Sequence, residues 1–173
     1  MRNLQFWLVY LILLVAQTII CAAFNFSQLV SFWFLPMMIL CTPIRFNTNS
    51  LLVLAFVSGV LVDLLSQGVL GLTSAALLPV ALCRNLVVRL VFGSEVFSRG
   101  EDISLRRQGL LKMSIAVALV TALFLILFIA ADGAGTRPFW FNAVRFLLSL
   151  VVDTFFSLLL VGIINPGEGQ KWR

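Results

Sequence analysis

No charged residue occurs between Arg2 and Arg45, and the apolar sequence in that interval is best divided at Asn25-Phe26-Ser27-Gln28. A helix that crosses a membrane needs about 20 apolar residues at ~1.5 Å rise each. The interval is therefore too long for one crossing and right for two joined by a hairpin at 25–28. Carried along the chain, the same pattern predicts six spans, at about 4–24, 29–44, 50–66, 72–92, 110–131 and 139–162. Because the apolar runs are continuous and do not alternate, helices are expected and not barrel strands. Pro36 lies inside the second span and Pro43 near its end, so a kink or an early stop is expected there. The fold class is an all-α integral membrane protein, a six-transmembrane-helix bundle forming one domain over residues 1–173.

Composition agrees with that pattern, since 61% of residues are hydrophobic and 11% charged, against about 25% charged in soluble domains. A cleaved leader would be followed by a polar mature chain. Here the apolar sequence continues, so the first segment is expected to be a retained helix. Basic residues collect in short loops on the cytoplasmic side. With the N-terminus inside, that side holds Arg2, Arg45, Arg89, Arg99, Arg106, Arg107, Lys112, Lys171 and Arg173, and the outer loops hold only Arg137. Both termini are thus expected to be cytoplasmic, with GSEVFSRGEDISLRRQG at 93–109 as a mixed-charge inner connector. The net charge of +5 reports topology and gives no reason to expect nucleic acid.

Four charges fall within apolar segments: Asp63, Arg84, Arg145 and Asp153. Each costs about 2.5–3.5 kcal/mol near the membrane centre and so needs a partner, a wet cavity or a route to the interface. In the sixth span Asn142, Arg145, Ser149, Asp153 and Ser157 follow one another at three- or four-residue steps. At about 100° per residue they share one face, which is expected to look into the bundle. Counting depth from the outer ends puts Arg84 about 18 Å and Asp153 about 21 Å down, and Asp63 about 4–5 Å and Arg145 about 9 Å down. Two pairs are expected from those depths, Arg84 with Asp153 and Asp63 with Arg145.

Asp63 also stands near a helix C-terminus, whose partial negative charge disfavours a carboxylate, so a donor is required close by. Gly59 and Ser66 lie on its face, and Gly59 would let another helix approach closely. Gly68 and Gly71 suit a tight turn into the fourth span, with Gly68 placed to end the helix in the left-handed region.

The chain has no histidine, which removes the commonest general base and metal ligand. Cys21, Cys41 and Cys83 are scattered through apolar sequence, as packing residues are. There is no phosphate-binding glycine loop. The adjacent acids Glu101-Asp102 are read as a solvated pair. No catalytic, cofactor or metal site can be named, and an enzyme is the least supported class.

The stretch GVLVDLLSQGVLG at 59–71, closing the third of six spans and followed by LTSAALLPVALCRN, resembles the rod-shape-determining protein MreD family. Gly59, Asp63, Leu64, Ser66, Leu70 and Gly71 carry the resemblance over about thirty residues, with Gln67 intervening before Gly68 where the family's glycine tends to follow the serine. It implies a non-enzymatic subunit of the cell-elongation machinery in the bacterial cytoplasmic membrane. Such a subunit binds the bitopic protein MreC and works with the MreB filament and the peptidoglycan synthases. It implies too a fold similar to the substrate-binding S components of energy-coupling-factor vitamin transporters.

On that reading Ala55, Ser58 and Gly59 are candidates to line a groove for a partner's membrane helix. The competing expectation is a small-molecule binding subunit of a transporter, with Asp63, Asn142, Arg145 and the polar face of the sixth span around an outward pocket. Ala16 followed at four residues by Ile20, not by a second alanine, argues against an S-component docking surface.

Overall fold

A computed structural model describes residues 2–23, 32–43, 46–67, 70–93, 109–133 and 138–164. Among these described residues six α-helices follow in order: α1 (Arg2–Ala23), α2 (Leu35–Leu40), α3 (Thr48–Val62), α4 (Leu72–Phe92), α5 (Leu110–Gly133) and α6 (Phe139–Ile164). A single π-helical turn, Asp63–Gln67, extends α3. No strand occurs among the described residues. The expected hairpin at 25–28, residues 94–108 of the expected inner connector, and Gly68 lie outside them.

Among the described residues four helices are long and apolar enough to cross a membrane: α3 with its π turn (Thr48–Leu65), α4 (Leu72–Phe92), α5 (Leu110–Asp132) and α6 (Trp140–Val161). The chain is accordingly an all-α, multi-pass membrane protein. In α1 the apolar stretch is shorter, Trp7–Cys21. Sequential neighbours pack on one another, α3 on α4, α4 on α5 and α5 on α6, while α1 touches α3, the π turn and α6. Large side chains such as Leu82, Leu86, Leu111, Leu147, Val151 and Phe155 face outward. An apolar solvent removes the penalty that water would impose on such a surface.

The second expected span differs most from its sequence reading. Among residues 32–43 the helix is six residues long, about 9 Å. It is entered through non-helical residues 32–34 and left through a turn at Cys41 and Thr42. Pro36 does not kink this helix; it sits in its first turn, where its missing N–H would have had no partner within the helix. Residues 33–42 are all buried, with α1, α3, α4 and α5 around α2. The Trp33 indole rests against Phe124 and Phe128 of α5, with centroid distances of 5.4 and 4.8 Å. The centre of the bundle is thus an interrupted segment ringed by longer helices.

The α3–α4 contact is a backbone approach. A β-carbon at Gly59 would lie 2.5 Å from Ser74 Cα, closer than any side chain allows. Ala55, Ser58 and Gly59 are all buried. The small-residue face expected to receive a partner's helix is therefore filled from within, because glycine lets α4 close upon it.

Candidate functional site

An interrupted segment inside a membrane protein leaves backbone groups that neither water nor lipid can satisfy, so side chains must do so. Residues 32–34 lie within reach of α1 and α6. The Gln17 amide in α1 donates from Nε2 to Phe32 O at 2.7 Å and accepts at Oε1 from Phe34 N at 2.8 Å. Between those two contacts, Trp33 N donates to Asp153 Oδ1 of α6 at 3.1 Å. Three consecutive residues of non-helical backbone are thus held by one amide and one carboxylate.

At the other end of α2 the unmet groups are carbonyls, and the residue that meets them is a cation. Arg84 of α4 donates from Nε to Leu40 O at 3.2 Å and from Nη2 to Thr42 O. Its side chain is 2% exposed. A guanidinium suits this place because it offers several donors in one plane and complements the negative end of a helix. Thr42 folds its hydroxyl back to Met38 O at 3.1 Å.

Asp63 performs a third capping role. Its carboxylate accepts from Gly71 N at 2.9 Å and from Thr73 N at 3.1 Å. The π turn carries α3 onward past Asp63, and the side chain reaches across the connection to the start of α4. There the positive helix end favours a carboxylate. Gly71, with φ +94°, takes the left-handed conformation that brings the chain round. The donor demanded by the sequence is therefore backbone N–H and not an arginine.

Both expected ion pairs are corrected by these partners. Arg84 and Asp153 serve opposite ends of the 32–43 segment, and Asp63 serves α4. Arg145 instead contacts Asp132, in the last turns of α5, at 2.6 Å. A count of depth along each helix ignores the direction each side chain points, and it treats the second segment as a continuous helix with no backbone groups to satisfy. Both omissions matter here.

Other expected features hold in part. On α6, Arg145 is 9% exposed and Ser149, Asp153 and Ser157 are fully buried, so the polar face does look inward. Asn142, on the same face, is half-buried and its Oδ1 has no hydrogen-bond partner. Ser66 lies in the π turn, with its side chain outside the described residues, as is Gly68. Gln17 and Asp132 were missed. Gln17 is the only amide between Gln5 and Asn25, an isolated polar residue that could have marked α1 as the helix facing a break. Asp132 follows directly on the fifth expected span, where an acid reads as a solvated end.

Among the described residues no three histidine, cysteine or acidic side chains gather as a metal-binding group. What the polar side chains do chemically is bind backbone: they hold an irregular segment still. Comparison of the chain with protein-family models, with curated proteins and with solved structures found no match in any of the three.

Proposed function

We propose that this chain is a non-enzymatic scaffold of the bacterial cell-elongation machinery, of the kind its resemblance to MreD implies. In this reading α1 and the segment containing α2 join the four span-length helices in a six-crossing layout similar to the S components of vitamin transporters. Both termini face the cytoplasm of the bacterial inner membrane. The bundle binds the membrane helix of MreC and relates the MreB filament on one side to peptidoglycan synthesis on the other.

The observation that carries the reading is the use made of the buried charges. Arg84 and Asp63 are committed to the chain's own backbone and Asp153 holds Trp33 N with one oxygen, an arrangement that stiffens the body. A scaffold needs that stiffness, because a partner helix can transmit position only through a support that does not yield. With the Gly59 face closed by α4, the partner's helix meets outer apolar surface, of which Val53, Phe56, Val57 and Leu61 on α3 are examples. Co-expression with MreC and purification in mild detergent tests the reading. A stable complex that weakens when the outer α3 residues become bulky or polar supports it, and a chain that purifies without MreC under all such conditions overturns it.

A second reading, a small-molecule transporter subunit, is favoured by one observation. Asn142 Oδ1 is buried without a hydrogen-bond partner, one turn from Arg145. A thermal-shift screen with vitamins separates the two readings: a ligand that stabilises the wild type and loses its effect in Asn142→Ala supports the transporter.

A further inference from the structure

Among the described residues two carboxylates are fully buried, Asp63 and Asp153, and their surroundings differ. Asp63 has both oxygens engaged by backbone N–H groups. Asp153 has one donor, Trp33 N on Oδ1, while Oδ2 is buried with no hydrogen-bond partner. One turn along α6, on the same face, the Ser157 hydroxyl is also fully buried and without a partner. An uncompensated carboxylate in an apolar interior carries a penalty far above that of a neutral acid.

Among the described residues, the charged and titratable groups on the surrounding elements do not supply the missing charge. On α1, Cys21 is within electrostatic reach of Asp153 but adds no positive charge, and it contacts Gln17 and Phe32 O. Cys41 stands at the far end of α2. Arg84 of α4 is directed to Leu40 and Thr42. On α5, Lys112 and Asp132 lie at opposite ends of the helix. Arg145, eight residues before Asp153 on α6, contacts Asp132.

We propose that Asp153 is a proton-binding site in the core of the bundle, occupied while residues 32–34 are docked and coupled by its release to their undocking. Bound at Oδ2, the proton neutralises the buried carboxyl in place while Oδ1 keeps accepting from Trp33 N. On release the O–H bond breaks, its electron pair remains on Oδ2 and the proton passes to an entering water. The charge left behind needs hydration, which the dry seat of Trp33 does not offer. The part of the structure that must yield is the segment held by Asp153 itself, and irregular backbone within a membrane is the place where such coupling is built.

The test uses the full chain in detergent micelles or lipid nanodiscs. Infrared spectra at neutral pH should contain the carbonyl-stretch band of a protonated acid that is lost in Asp153→Asn. An amide reproduces the acceptor and donor of the neutral acid, so Asp153→Asn should fold. Because a proton bound only by the folded chain is released on unfolding, wild-type stability should fall, by more than that of Asp153→Asn, as pH rises from the ordinary carboxylate range to the pH at which the folded chain also gives up the proton, and level off above it. Fluorescence of Trp33, read after replacing Trp7, Trp140 and Trp172 with Phe, should move toward a wetter environment at the upper end of that range in the wild type only. The proposal is overturned if no acid band distinguishes wild type from Asp153→Asn, or if that variant fails to fold. It is overturned equally if sodium stabilises the wild type and not Asp153→Asn, which would make the occupant a metal cation.

Discussion

Arg84 completes a helix to which it does not belong: its Nε stands 3.2 Å from the carbonyl of Leu40, the last residue of α2. The residue comes from α4, 44 positions further along the chain. Removing it strands at least two carbonyls where no water reaches. Arg84→Ala should cost about 3 kcal/mol in unfolding free energy, in the range for breaking buried charged contacts. Arg84→Lys, which keeps the charge but offers no planar fork, should recover only part of that. Unfolding of the purified chain in detergent measures both, and an Arg84→Ala variant as stable as the wild type would remove Arg84 from its capping role.

Asp63 predicts a different ranking, because its partners are two backbone N–H groups at the head of α4. Asp63→Asn retains one acceptor oxygen and Asp63→Ala retains none. The alanine variant should lose about 1–2 kcal/mol, as for other helix caps, with asparagine between it and the wild type. The loss should appear as poorer folding or assembly, read from the yield of monodisperse protein.

At Gly59 the cost is steric. A β-carbon there meets Ser74 Cα at 2.5 Å and Ser74 N at 2.7 Å, so α3 and α4 must separate to admit it. Gly59→Ala should destabilise by about 1–3 kcal/mol, the usual range for overpacking. Ser74→Gly should not rescue it, because the obstructing atoms include backbone. A double-mutant cycle checks this directly, and full rescue would mean that the helices meet differently.

Gln17 holds residues 32 and 34 with one amide. Gln17→Leu removes donor and acceptor together, at a cost of about 2 kcal/mol, while Gln17→Glu keeps the acceptor for Phe34 N and loses the donor to Phe32 O. Hydrogen exchange read on a peptide covering residues 32–34 should show protection falling first in the leucine variant. Unchanged exchange in both would show that Asp153 alone retains the segment.

Much of this was legible in the sequence. The polar face of α6 followed from spacing, because helical periodicity turns a list of positions into a direction. A turn joining α3 to α4 was expected from Gly68 and Gly71, of which Gly71 takes the left-handed conformation and Gly68 lies outside the described residues; the need of Asp63 for a donor followed from its place at a helix end. The partners were not legible. Those of Arg84 and Asp153 depend on backbone groups left open by the interruption at residues 32–34 and 41–42, and a run of apolar residues reads as helix whether or not the helix is continuous. The π turn was equally hidden, since residues 63–67 carry no breaker that distinguishes it from one more turn of α-helix.

The separation along the chain of the groups that hold residues 32–34 has a consequence for biogenesis. Gln17 precedes Phe32 by 15 residues, whereas Asp153 follows Trp33 by 120. A ribosome therefore delivers the amide before the segment and the carboxylate long after it, when α3, α4 and α5 have already been made. Until α6 enters the membrane the Trp33 N–H has no acceptor from that helix, and the centre of the bundle is completed last. A chain that stalls before residue 153 carries an open middle into the membrane, which gives a quality-control system a way to tell a finished molecule from an unfinished one.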